Sequence, residues 1–259
     1  ARSKSLRVFY RGRTNQPSIN QLQDVPDVSN PLQVRNGNPA LKQEFTNDLT
    51  FNYNTFNSST FKFFSARLNF SATGNRIANS IDTLPAGIET GVEVERRNVQ
   101  YIVPVNVAGT WSTSSFLTYG IPLKGKLTGS NLNFSNNIRF ARDVSLLNKT
   151  ENVLKNLSIT QSAGINMNLL KDKLNFGING SFTFNDVRYS VQPTFNQRFF
   201  SHTYSADITY YLPFNFYVST DFDLFINAGR ADGFNQNVPL WHARLARQFF
   251  KKKNGELKF

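Results

Sequence analysis

From Leu174 to Phe184 apolar and small polar residues alternate without a break. Leu174, Phe176, Ile178, Phe182 and Phe184 fall on one face, with Gly180 among them, and Asn175, Gly177, Asn179, Ser181 and Thr183 fall on the other. Successive side chains of a strand point to opposite faces, so this segment is a long strand with one greasy and one wet side. A strand of about 9–11 residues, tilted by about 45°, crosses the hydrocarbon core of a bilayer. The ordinary soluble strand has about 5–6 residues. Length and alternation together point to a sheet that can stand in a membrane.

The rest of the composition agrees. Among 259 residues Phe is the dominant aromatic, with 25 copies against 9 Tyr and 2 Trp. Mean hydropathy is nevertheless −0.39, and no run approaches the ~18 consecutive apolar residues of a membrane helix. Membrane strands escape hydropathy in this way because half of each faces a polar interior. The chain has no cysteine, which excludes disulfides and thiolate metal sites. Net charge is +12, but the cations are dispersed apart from Lys251-Lys252-Lys253, which reads as a solvated turn. No nucleic-acid motif accompanies them, so no nucleic-acid partner is expected. No signal peptide precedes the first strand pattern, and Glu256-Leu257-Lys258-Phe259 reads as a strand just starting. The chain is therefore expected to be an internal piece of a longer one.

About ten strands are readable, at residues 5–13, 45–54, 61–72, 111–123, 127–140, 153–169, 174–187, 194–212, 216–227 and 240–250. Residues 15–43 and 74–107 read as long polar loops, the second with a short strand at 99–103, and 142–151 and 227–238 as further loops. The remaining connections are short, at 57–59, 124–126, 171–173, 213–215 and 251–255. One end of the sheet thus has short turns and the other longer loops, as in outer-membrane barrels, where the short turns are periplasmic. Tyr119, Tyr210, Tyr211, Phe249 and Phe250 lie near the short-turn end; Tyr10, Trp111, Phe140, Tyr189, Phe199 and Phe200 lie near the other. Aromatic belts at both interfaces fit a membrane wall. The expected fold is all-β: an antiparallel transmembrane β-barrel over residues 1–259, with further strands outside this sequence completing it.

Two segments narrow the reading. The first is Asn15-Gln16-Pro17-Ser18-Ile19-Asn20-Gln21-Leu22-Gln23, followed by Asn30-Pro31-Leu32 and Gly37-Asn38-Pro39-Ala40-Leu41-Lys42-Gln43-Glu44. The second is Pro104-Val105-Asn106-Val107-Ala108-Gly109 with Tyr119-Gly120-Ile121-Pro122-Leu123-Lys124. Together they resemble the outer-membrane β-barrel family that forms the C-terminal part of TonB-dependent-receptor-like proteins; Gln43 departs from the family's usual Pro. The resemblance implies a barrel of ~22 strands occluded by a separate N-terminal plug. It also implies solute import across the outer membrane of a Gram-negative bacterium, with TonB coupling through the plug region. Neither plug nor TonB box lies in this sequence. Within the motif, Asn38, Pro39, Leu41, Lys42 and Glu44 are read as structural: Pro39 fixes φ, and Glu44 can accept hydrogen bonds where the next strand begins.

Signals for catalysis are poor. There are two histidines, His202 and His242. His202 lies on the apolar face beside Phe200 and Tyr204, a bad place for a general base. No Gly-x-Ser-x-Gly and no metal-ligating His pair appears, so no enzyme activity, cofactor or metal is expected. Arg7, Arg11, Arg13, Arg67 and Arg139 fall on the polar face, as do Asp207, Asp221 and Asp223. The arginines can attract an anionic solute, and both sets can form salt bridges or hold a plug. Expected partners are outer-membrane lipid and lipopolysaccharide, the plug, TonB, and surface lipoproteins or secretion components. The leading functional expectation is import; a scaffold barrel in a secretion or surface-protein complex is the alternative, and a barrel hydrolase a second.

Overall fold

The computed structural model describes residues 2–30, 32–85, 98–229, 233–250 and 255–259. Long alternating segments form the wall: β1 (Arg2–Asn15), β3 (Glu44–Asn57), β4 (Lys62–Gly74), β7 (Thr110–Pro122), β8 (Asn131–Leu147), β9 (Thr150–Leu169), β10 (Leu174–Tyr189), β11 (Gln197–Tyr211), β12 (Phe216–Ala228), β13 (Gln236–Phe249) and β14 (Gly255–Lys258). They pair in the order β1-β3-β4-β7-β8-β9-β10-β11-β12-β13-β14, each antiparallel to the next. At the long-loop end lie α1 (Ile19–Leu22), β2 (Gln33–Arg35), β5 (Arg76–Thr83) and β6 (Gln100–Val107). There β2 runs parallel to β6, and β5 pairs with β6 and with the tip of β8. Among the described residues β1 does not pair with β14, so the sheet is open.

The 14 strands exceed the ten legible in the sequence. The segment 74–107, read as a loop with one short strand, carries β5 and β6 as an antiparallel pair. The segment 142–151, also read as a loop, is strand: β8 and β9 stay paired out to Leu147 opposite Thr150. Only Asn148 and Lys149 turn, both at positive φ (48° and 61°), the geometry of a two-residue hairpin whose twist matches its strands. Arg142, Asp143 and Glu151 make this stretch look like loop. Beyond the membrane, however, a strand has no need of an apolar side. Long and short connections therefore alternate less regularly than expected. The expected turn at 251–255 falls mostly outside the described residues, as do residues 86–97 of the loop between β5 and β6.

Register carries the two faces across the whole wall. Leu6, Val8 and Tyr10 of β1 stand opposite Tyr53, Phe51 and Leu49 of β3. These stand opposite Ala66, Leu68 and Phe70 of β4. Further along, Phe134-Ala163-Gly180 and Ile138-Ile159-Phe184 continue apolar rows through β8, β9 and β10. Asn136 opposite Gln161 breaks this face. The large side chains stay open: Leu68 is 50% exposed, Ile178 47% and Phe222 42%. A soluble sandwich would bury such a face under a second sheet. Here the small buried cluster, Val34, Leu84 and Val99 with Val28 and Tyr101 against it, lies off the wall among the long-loop elements. An uncovered apolar face of this extent matches a lipid-facing wall.

Candidate functional site: the polar face and its loop clasp

The five arginines and three aspartates singled out on the wall strands all lie on the polar face. Arg7 stands opposite Asn52, and Asn52 opposite Arg67. Arg67 Nε donates to Asn52 Oδ1 at 2.8 Å. Arg11 is in register with Asp48, whose carboxylate lies 3.4 Å from Arg13 Nε. Arg139 sits between Ser114 of β7 and Ser158 of β9. The arginines thus occupy β1, β4 and β8, and the aspartates β11 and β12. Asp207 and Asp221 face each other across the β11–β12 pair, and Asp223 faces Ser205, whose hydroxyl donates to it. The carboxylates are not left bare. Asp221 Oδ2 lies 2.9 Å from His242 Nδ1. Asp207 rests over Gly177, where a Cβ would come within 2.3 Å of its Oδ1. Among the described residues no group of three His, Cys, Asp or Glu could hold a metal.

Across the middle of the polar face, from β7 to β11, runs a row of hydroxyls. Thr118, Ser135, Ser162, Ser181 and Thr203 follow one another in register across five strands. Ser162 Oγ donates to Ser181 Oγ at 2.9 Å, and the Thr160 and Thr183 hydroxyls are 3.0 Å apart. A depression of about 410 Å³ lies over this band, lined by Asn133, Ser135, Gly164, Asn179 and Ser205 among others. Gly164 keeps it open, because a Cβ there would come within 2.0 Å of Asn179 Oδ1.

His242 facing Asp221 is a pair the sequence did not disclose. The residues lie 21 positions apart, and only the β12–β13 register joins them. Among the described residues no hydroxyl hydrogen-bonds to the other ring nitrogen of His242, so the pair lacks an attached nucleophile. His202 is on the apolar face as expected, edge-on to Phe182 with ring centroids 4.9 Å apart.

The motif residues are tied into the loops at the long-loop end by hydrogen bonds. Asn38 Nδ2 donates to the Pro104 carbonyl at 3.0 Å, and Asn38 Oδ1 accepts from Ala40 N at 3.0 Å. The Leu41 amide donates to the Asn38 carbonyl at 3.2 Å, and Pro39 sits inside this turn. Lys42 N donates to Asn106 Oδ1 at 2.7 Å. Glu44, 4% exposed, accepts from Asn15 Nδ2 at 3.0 Å, Arg76 at 3.1 Å and Ile77 N at 2.7 Å. The two motif segments, remote in sequence, thus clasp each other. Beside the clasp is a cavity of about 600 Å³ lined by Gln23, Asp27, Arg35, Asn36 and Asn79 among others. Asp27 is held below the usual carboxylate range by hydrogen bonds from Ser29.

A family model for the outer membrane protein beta-barrel family matches residues 2–146, more than half of the chain. No curated protein gives a match. The match covers β1 through nearly all of β8, including both motif segments, the arginine-bearing strands and the apolar rows facing away from them. The chain belongs to the outer membrane protein beta-barrel family, and its wall stands in the outer membrane of a Gram-negative bacterium.

Proposed function

We propose that this wall is part of a TonB-dependent-receptor-like transport barrel that imports a solute across the outer membrane. The observation that carries the proposal is the sorting of the polar face. Arginines predominate on β1, β4 and β8, with Asp48 among them on β3, and aspartates on β11 and β12, with Arg244 beside them on β13, so positive charge prevails at one end of the polar face and negative charge at the other, with the hydroxyl band crossing the strands from β7 to β11. Such a lumen can orient a polar solute or grip a plug of complementary charge. Among the described residues the outer edges of β1 and β14 have no strand partner, which supports a wider barrel, because an open edge in lipid leaves backbone groups without partners. In this reading a plug domain fills the lumen, TonB acts through it, and surface lipoproteins dock at the long-loop end. The role is non-catalytic.

Single-channel recording of the full-length protein in a planar bilayer tests this. The expected result is a barrel closed under native conditions that conducts once mild denaturant unfolds the plug. Chloride should be preferred over potassium, and the preference should weaken in an Arg7→Gln, Arg67→Gln variant. A folded barrel that never conducts would favour the scaffold role in a secretion or surface-protein complex.

A further inference from the structure

Two amides face lipid near the middle of the wall. Asn136 of β8 and Gln161 of β9 stand opposite each other on the apolar face. Leu117 of β7 lies beside Asn136, and Phe182 of β10 beside Gln161. His202 of β11 follows next to Phe182. The strands that carry these residues set their depth. Toward the long-loop end the same face passes Phe140 and Leu157 and reaches Arg142, Lys155 and Arg188, which are in register. Toward the other end it passes Leu132 and Met167 before the connections that hold Lys126 and Lys171. The amides thus lie midway between two charged rims, near the centre of the hydrocarbon.

Lipid tails cannot answer an amide. Among the described residues neither the Asn136 nor the Gln161 side chain makes a hydrogen bond, whereas Nδ1 of His202 lies 3.3 Å from the Tyr204 hydroxyl. A side-chain amide brings an acceptor oxygen and an NH2 donor, and leaving both unpaired in hydrocarbon is costly. Polar side chains at this depth mark a functional contact rather than a lipid one. The wall is also thin beside the amides, on the short-turn side. Ala163 and Gly180 stand in register between Phe134 and Tyr204. A depression of about 370 Å³ opens over them, with Asn136, Gln161 and Phe182 on its walls. Phe134 and Tyr204 project at its margin, 45% and 48% exposed. Small residues of this kind let another protein surface approach closely within a membrane.

We infer that this patch is the contact between two copies of the chain, related by a two-fold axis along the bilayer normal that passes between Asn136 and Gln161. Such an axis keeps every residue at its own depth, so the amides of one wall meet the amides of the other. An amide is its own complement, because its carbonyl accepts what its NH2 donates. Paired across the axis, the amides of the two copies satisfy one another away from water. Ala163 and Gly180 let the walls close around them, and the rings of Phe134 and Tyr204 pack at the margin. A lipid tail would fill the depression but leave the amides unpaired. A membrane helix of another protein has its backbone groups bonded within itself, and its fold alone sets no amide at this depth. The inference rests on the lipid-facing wall and holds whether the barrel imports a solute or serves as a scaffold.

Symmetric cross-linking of the purified full-length protein in lipid vesicles tests this. A single cysteine is placed at Ala163, close to the axis, or at Leu68 on the lipid face of β4, any cysteine elsewhere in the protein being replaced by serine. Under mild oxidation Ala163→Cys should join two copies far more efficiently than Leu68→Cys. Separately, the double variant Asn136→Leu, Gln161→Leu should weaken self-association about tenfold, read by energy transfer between labelled copies as lipid is added. Leucine suits a lipid-facing strand, so the double variant should fold, and the two cysteine sites keep both amides in any case. Equal cross-linking at the two sites would overturn the interface. Unchanged self-association in the double variant would overturn the part given to the amides. In isolated outer membranes, Ala163→Cys joining a different protein in place of its own copy would overturn the assignment to a second copy.

Discussion

The side-chain amide of Asn106 serves as a strand partner for Lys42: its Oδ1 accepts from the Lys42 amide at 2.7 Å and its Nδ2 donates to the Lys42 carbonyl at 2.9 Å. The same Nδ2 lies 2.7 Å from the Asn75 carbonyl. One side chain therefore ties together the motif loop before β3, the turn between β4 and β5, and the end of β6. Asn106→Ala leaves an amide and two carbonyls without this partner and should cost about 2–3 kcal/mol. Asn106→Asp keeps the acceptor for the Lys42 amide but sets a carboxylate oxygen against the Lys42 and Asn75 carbonyl oxygens, and should cost at least as much. Denaturant unfolding in lipid vesicles measures the loss, and limited proteolysis within residues 16–43 should show the loop loosened first.

Glu44 closes the same clasp from the other side. Removing its carboxylate strands Asn15, Arg76 and the Ile77 amide. Because Arg76 is 47% exposed, water compensates part of the loss, and Glu44→Ala should destabilise by about 2–3 kcal/mol. Glu44→Gln should lose less, because its side-chain oxygen still accepts from Ile77. The same unfolding measurement ranks the two.

The hairpin joining β8 and β9 makes an opposite prediction. Lys149 sits at φ 61° after Asn148 at φ 48°, where the favoured pair is Asn-Gly. Lys149→Gly keeps the backbone bond to Asp82 and should stabilise by about 0.5–1 kcal/mol. Asn148→Val should destabilise, because a β-branched side chain disfavours positive φ. Thermal unfolding of the two variants should move in opposite directions.

Much of this was written in the sequence, for a definite reason. In a membrane wall the apolar and polar faces must alternate along every strand, so Leu174 to Phe184 and its counterparts declare both their conformation and their orientation. The eight charged candidates fell on one face because period-2 parity alone decides that. Parity fails where the strands leave the membrane. The tips of β8 and β9, with Arg142 and Glu151, look like loop because water rather than lipid meets them. Cross-strand partners are also silent: His242 with Asp221, and Lys155 between Arg142 and Arg188, depend on registers that no single strand encodes. The motif residues were recognisable, but that Asn38 reaches Pro104 and Lys42 meets Asn106 required the fold.

The apolar face sets a clear energetic contrast on one strand. Ile178, 47% exposed, points to the lipid side, and its neighbour Asn179 points to the other. Ile178→Lys should cost about 2–4 kcal/mol near mid-membrane, whereas Asn179→Lys should cost well under 1 kcal/mol. Equal costs would remove the distinction between the faces.

The most direct measurement places single cysteines in a wall whose 259 residues contain none, any cysteine elsewhere in the full-length protein being replaced by serine. Single cysteines at each position from Phe176 to Thr183, spin-labelled in the reconstituted full-length protein, report access to oxygen dissolved in lipid and to a water-soluble nickel reagent. The account predicts strict alternation: labels at Phe176, Ile178, Gly180 and Phe182 favour oxygen, and labels at Gly177, Asn179, Ser181 and Thr183 favour nickel. Uniform access along the segment, or a reversed phase, would contradict a wall with its phenylalanine rows in lipid.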